Sequence, residues 1–249
     1  MKDRSRYVFG AALASAALGG LPGVMERASA ATVTQAAFTF EVSGIPLNAT
    51  NVTAPALGPL VAESGIGSAF GSHVATSTVW SSPAGNGSQR SLSSNNWAQG
   101  DFYSFSVPTT GIKDIMVSFD QQSSSTGPHV FSLLYSTNGT SFSTFTNYTV
   151  PVVTVTSTNT AGSTTIGFST GASNAAFAQV FDLSGITGLN NDVNAVFRLV
   201  DADTTATATA GTNRVDNFVV SGNTVPEPAA VSLVTIAAAT GLLRRRRGE

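Results

Sequence analysis

Phe131-Ser-Leu-Leu-Tyr-Ser-Thr-Asn-Gly-Thr-Ser-Phe-Ser-Thr-Phe145 is the stretch on which the fold turns. Phe131, Leu133 and Tyr135 recur at period two, so they share one face of an extended segment. Asn138-Gly139 follows at once, the dipeptide that most readily takes the left-handed backbone of a hairpin turn. Phe142 and Phe145 then lie on the return strand. Two antiparallel strands with rings turned one way need a second layer to cover them, and the chain supplies it on both sides. Tyr103, Phe105 and Val107 alternate until Pro108 ends the run, and Ile115, Val117 and Phe119 alternate next. Thr164–Phe168, Ala176–Leu183, Ala195–Val200 and Arg214–Val220 read as later strands. The first strand holds Phe38, Phe40 and Val42 on one face, with Thr39 and Glu41 on the other. Residues 43–100 are rich in Gly, Ser, Ala, Asn and Pro and read as long loops with short strands, and Thr154–Thr165 and Thr204–Thr212 as loops. No helical stripe of ten or more residues appears between 31 and 225. The expected fold is all-β, an antiparallel β-sandwich over residues 31–224 with Phe105, Phe119, Leu133, Phe181, Phe197 and Phe218 turned inward.

Charge is scarce in that domain. The formal net charge of −2 hides an asymmetry, because eight of the twelve cations lie in the two ends of the chain. Between Ala31 and Val225 only Arg90, Lys113, Arg198 and Arg214 stand against ten carboxylates, leaving −6. Nucleic acid, which demands a basic face, is excluded as a partner. A cation or a neutral sugar surface is compatible. There is no cysteine, so neither disulfides nor thiolate chemistry contribute, and stability must come from a packed core.

Both ends read as targeting segments. Lys2, Arg4 and Arg6 precede an apolar stretch from Val8 to Leu21, and Ala28-Ser29-Ala30 offers the small-x-small pattern of signal-peptide cleavage. Residues 1–30 are thus expected to be removed after Ala30, with Ala31 as the alternative. At the other end, residues 225–249 carry Pro226-Glu227-Pro228, fifteen uncharged residues from Ala229 to Leu243, and then Arg244, Arg245, Arg246 and Arg247. As a single transmembrane helix the run would measure about 22 Å, short of the roughly 30 Å hydrocarbon core, so its flanks must help it span. The arginines hold the C-terminus on the cytoplasmic side. The prolines keep the segment before the run extended and accessible.

This order of PEP tripeptide, apolar helix and arginine cluster resembles the PEP-CTERM sorting signal of exopolysaccharide-producing Gram-negative bacteria. The resemblance implies a precursor exported by the general secretion machinery and anchored transiently in the inner membrane. Exosortase, a membrane transpeptidase-like cysteine protease, would recognise the tripeptide and remove the tail, releasing the protein to the cell surface or extracellular matrix. Within the domain, Asn96-Trp97, Gly100–Phe105, Ser123–Pro128, Tyr135–Phe142 and Asn213–Phe218 are similar to the secreted β-jelly-roll domains often found ahead of such tails. That likeness implies a jelly-roll-like sandwich, export and association with exopolysaccharide rather than an activity.

Catalysis finds little support in the sequence. A hydrolase triad needs a histidine oriented by a carboxylate beside a nucleophile, yet His73 and His129 both sit in loop-like sequence and read as surface groups. No Gly-x-Ser-x-Gly elbow surrounds a serine. Glu41, Glu63, Asp101 and Asp120 are the carboxylates from which a glycosidase pair would have to come, and their separation is not legible. The chain therefore reads as no enzyme but as a structural or adhesive protein, with a carbohydrate-binding module as the alternative and a hydrolase behind both. Trp80 and Trp97, the only tryptophans, are buried anchors or else exposed platforms for stacking on a pyranose. Asp201, Asp203 and Asp216 are candidate ligands for a structural calcium, against a plainer role in turn capping and pairing with Arg214.

Overall fold

The computed structural model describes residues 30–42, 51–157, 163–204 and 211–225. Ala28, Pro226-Glu227-Pro228, the apolar run and Arg244–Arg247 lie outside the described residues. Among the described residues no helix is long and apolar enough to cross a membrane.

In chain order the strands are β1 (Thr32–Phe38), β2 (Val52–Thr53), β3 (Ala56–Val61), β4 (Ser64–Gly65), β5 (Ser68–Ser72), β6 (Val79–Ser81), β7 (Leu92–Asn95) and β8 (Phe102–Ser106). They continue as β9 (Ile112–Ser123), β10 (Val130–Ser136), β11 (Ser143–Thr149), β12 (Thr154–Ser157), β13 (Ser163–Ile166), β14 (Ala178–Asp182), β15 (Val196–Asp201) and β16 (Thr212–Thr224). Two antiparallel sheets face each other. One runs β14-β9-β16-β7-β6-β2, with β1 and β4 attached beside β16, and the other runs β11-β10-β15-β8-β5-β3. The expected sandwich is what forms.

The longest strand, β16, organises the larger sheet. One of its edges pairs with β9, while the other pairs first with β7 and then with β1. The change of partner falls at a bulge between Asp216 and Val219, where Asn217 takes φ +50. A bulge adds local twist and re-aims the strand, which is what exchanging one neighbour for another requires. The Thr32–Asn223 pairing also places both ends of the domain side by side.

Between the sheets the period-two residues meet as expected. Phe105 and Phe218 stack at 3.5 Å and 3°, and Phe119 continues the stack at 5.7 Å from Phe218. Phe105, Phe119, Leu133, Phe197 and Phe218 are buried, and Phe181 packs on the core at its margin.

Four local expectations need correction. Val42 is 86% exposed and does not share the face of the buried Phe38 and Phe40. The Glu63 carboxylate accepts the Thr39, Phe40 and Val42 N–H groups, turning the chain after Phe38, with Phe40 at φ +58. The Thr-rich 154–165 region is not all loop, because β12 and β13 pair as a two-stranded ribbon. Ala176 and Phe177 belong to a 3₁₀ turn, so that strand begins at Ala178. Finally, the hairpin at Asn138-Gly139 forms between β10 and β11, but its loop is longer than expected and Phe142 does not lie on the return strand. Asn138 Oδ1 accepts from Thr140 N, Ser141 N and Thr140 Oγ1, which widens the loop and leaves Phe142 ahead of β11.

Candidate functional site on the outer face of the six-stranded sheet

Where alternate residues of β5, β8, β15 and β10 fill the core, those between them face outward. Strand register sets them in rows. One row reads Phe70, Ser104, Arg198, Leu134, Thr144 across β5, β8, β15, β10 and β11. With strands about 4.8 Å apart, it is ~19 Å wide. Phe102 lies one row along, beside Val200.

Arg198 is the centre of this face. Its guanidinium carbon sits 4.1 Å from the ring centroid of Phe102 and 3.8 Å from that of Phe142, so both phenyl rings pack against the cation. Phe70 meets Phe102 edge-on at 5.8 Å. The wide Asn138 loop is what brings Phe142 over the guanidinium. No carboxylate among the described residues pairs with Arg198, and its Nε, shielded from solvent, has no hydrogen-bond partner. The Oγ of Ser104, directly opposite on the neighbouring strand, is buried and likewise unpartnered. Burial against the rings lowers the guanidinium pKa, but an arginine remains charged. Unmade hydrogen bonds at buried polar atoms are costly and uncommon. Both atoms belong to residues paired across β8 and β15 in one row of this sheet.

No protein-family model matches the chain, and no curated protein matches it. Among solved structures, it resembles the CBM22-1–GH10 modules of the Clostridium thermocellum N-terminal endo-1,4-β-D-xylanase 10B complexed with xylohexaose, at 11% identity and a TM-score of 0.36. That match covers 63% of this chain and 26% of the other. The K2 cleaved adhesin domain of Lys-gingipain matches at 14% identity and TM-score 0.37, over 78% of this chain and 100% of that one. The enzymatically active domain of bacteriophage CBA120 tailspike protein 4 matches at 11% and 0.30, over 59% and 17%. The chain thus spans about a quarter of the xylanase structure's length. Likeness at this level assigns no ligand.

The residues singled out by sequence fall elsewhere. Trp80 and Trp97 are buried at 0% and 6% exposure, so neither indole offers a platform to a sugar. They enclose His73, at 4.8 and 4.3 Å between ring centroids, and their N–H groups donate to the Ala54 and Ser94 carbonyls. His73 is therefore no surface group. Its Nε2 lies 3.3 Å from Ser94 Oγ, and its Nδ1 lies 3.3 Å from Asp101 Oδ2 without the alignment a donated hydrogen bond needs. The residue types are those of a hydrolase triad, but Ser94 is 1% exposed and its hydroxyl also meets Tyr103 Oη at 3.1 Å. Asp101 already accepts the Val74 and Ala98 N–H groups. Burial pulls the His73 pKa down, against the opposing pull of Asp101. The array continues from Tyr103 to the Asn213 carbonyl, and through the Asn213 side chain to Gln121 and Tyr148, as a polar seam inside the sandwich.

Asp201, Asp203 and Asp216 are not brought together. Asp201 ends β15 and its Oδ1 accepts from Asp203 N, while Asp203 Oδ2 accepts from His129 N; both cap a turn. Asp216 belongs to the other sheet. Its Oδ2 accepts from Asn86 N, Ser88 Oγ and Asn217 Nδ2, and its Oδ1 from Asn217 N. Calcium takes six to eight oxygens, and the three carboxylates, split between two sheets, do not converge on one point. Burial pushes Asp201 and Asp216 each up to about 6. Arg214 does not pair with Asp216 but lines a cleft of about 280 Å³ with Gln122, Ser124 and Val153.

Proposed function

We propose that this chain is an exported cell-surface or extracellular-matrix protein of adhesive kind, whose sandwich holds matrix polysaccharide on the outer face of its six-stranded sheet. The export route is the one the two ends describe: signal-peptide removal after Ala30, transient inner-membrane anchoring, and processing at Pro226-Glu227-Pro228. The observation that carries the adhesive reading is the Arg198 guanidinium packed against Phe102 and Phe142 on an outward sheet face. Rings supply flat apolar area at low entropic cost, and the cation supplies directional donors for hydroxyl or carboxylate oxygens. Such a pairing suits a saccharide, which is apolar on its ring faces and polar around its rim. Affinity electrophoresis of the full chain in a sugar-free detergent, through gels with and without matrix polysaccharide, tests it. Retardation by the polymer, abolished in Phe70→Ser/Phe102→Ser with the melting transition retained, is expected. Retardation unchanged in that variant overturns the reading.

A further inference from the structure

Net charge alone points to a neutral ligand, since the domain carries −6. Its distribution says otherwise. The six strands of the smaller sheet contain only two charged residues, Arg198 and Asp201. Asp201 is 2% exposed and capped against Asp203. The strands therefore present one cation and no exposed carboxylate, while Asp114, Asp120, Asp182 and Asp216 belong to the other sheet.

The geometry of Arg198 narrows the ligand further. With two rings packed against it, the guanidinium is held in place, and the N–H groups turned away from the rings are left to donate. An in-plane edge of two parallel N–H groups matches a carboxylate. Holding it in place beforehand removes the ordering cost that a mobile arginine would meet on binding. Asp101, beside Phe102, and Asp201 are both buried at 2% exposure, and repulsion from carboxylates farther off than roughly 8 Å is screened at physiological salt.

We infer that the saccharide held on this face is acidic, a uronate whose carboxylate is bound by the edge of Arg198, with Phe70 and Phe102 beneath the sugar. This rests on the polysaccharide-binding reading above and names its ligand class.

The full chain, in a sugar-free detergent, is run by affinity electrophoresis against polygalacturonate, the same polymer fully methyl-esterified, and dextran sulfate. Expected is retention by polygalacturonate at least tenfold tighter than by the ester or by dextran sulfate. Arg198→Met, which keeps an unbranched apolar stem and loses the cation, should fall to the ester's level. Arg198→Lys, which keeps charge but loses the fork, should lose more than half of the preference. Equal retention by acid and ester, with the Phe70→Ser/Phe102→Ser variant released from both, overturns this inference and leaves polysaccharide binding standing. Tighter retention by dextran sulfate than by polygalacturonate overturns the uronate assignment in favour of a general anion site. No retention by any polymer overturns both readings. The acid-to-ester contrast needs no variant, so a folding failure of Arg198→Met does not shelter the inference.

Discussion

Replacing Asp216 with Asn should flatten one defined part of the pH dependence of stability. Asp216 is fully buried at the bulge where β16 exchanges β7 for β1, and burial raises its carboxyl to about 6. Against the ordinary value of 3.8, the folded chain then binds this proton more tightly than the unfolded chain between those two values. Stability must therefore rise as pH falls through 6 and level off below the unfolded value. For a shift of that size, linkage gives about 2 kcal/mol gained between pH 7 and pH 4.5. His73 acts in the opposite sense. Its lowered pKa means that stability falls as pH drops below the ordinary histidine value. Asp201 acts in the same sense as Asp216. Both contributions remain in Asp216→Asn, so the difference between wild type and variant isolates Asp216. Urea unfolding of the 31–225 fragment at pH 7 and 4.5 should show the variant gaining about 2 kcal/mol less than wild type on acidification. An equal gain in both proteins refutes a buried, proton-binding Asp216 and the hydrogen-bonded bulge built around it.

Phe119→Ala removes a ring that contacts Phe218, Phe181 and Tyr148 and should cost roughly 3–5 kcal/mol in urea unfolding; a loss under about 1 kcal/mol would place Phe119 outside the core. Ser94→Ala leaves His73 Nε2 without its partner and should cost about 1–3 kcal/mol, and a stability equal to wild type would show that the polar seam contributes nothing. Glu227→Ala should leave membrane insertion intact while uncut precursor accumulates in the inner membrane. Mass spectrometry of surface material that recovered residues 229–249 on the wild-type protein would replace the sorting signal with a permanent anchor.

The strands of the second half were legible because one face of each is buried, and burial on one face writes itself as alternation at period two: Phe131, Leu133 and Tyr135, or Phe197 and Leu199. The first half was less so. β2, β4 and β6 span two or three residues, too few for alternation to register, and Glu63 turns the chain after β1 from more than twenty residues away. His73 was missed because its local sequence, Gly-Ser-His-Val, carries no sign of burial; only the fold sets Trp80 and Trp97 against it. Arg198 lay on the polar side of a readable strand. Its signal was the scarcity of cations, one of only four in the domain, combined with Phe102 falling out of phase with Tyr103 and Phe105. What placed Phe142 over it was the widened loop, which Asn138-Gly139 alone does not specify.

If the proposal holds, ligand binds the outer face of the six-stranded sheet. Nuclear magnetic resonance of the 31–225 fragment, titrated with a galacturonate oligomer, reads that face directly. The arginine Nε–H signals are few, and the phenylalanine ring signals distinguish the two sides of the sheet. The expected result is that Arg198 Nε–H and the rings of Phe70, Phe102 and Phe142 shift together, with Arg90 and Arg214 unmoved. Shifts centred on Arg214 and its cleft, or none on Arg198 at saturating oligomer, would contradict it.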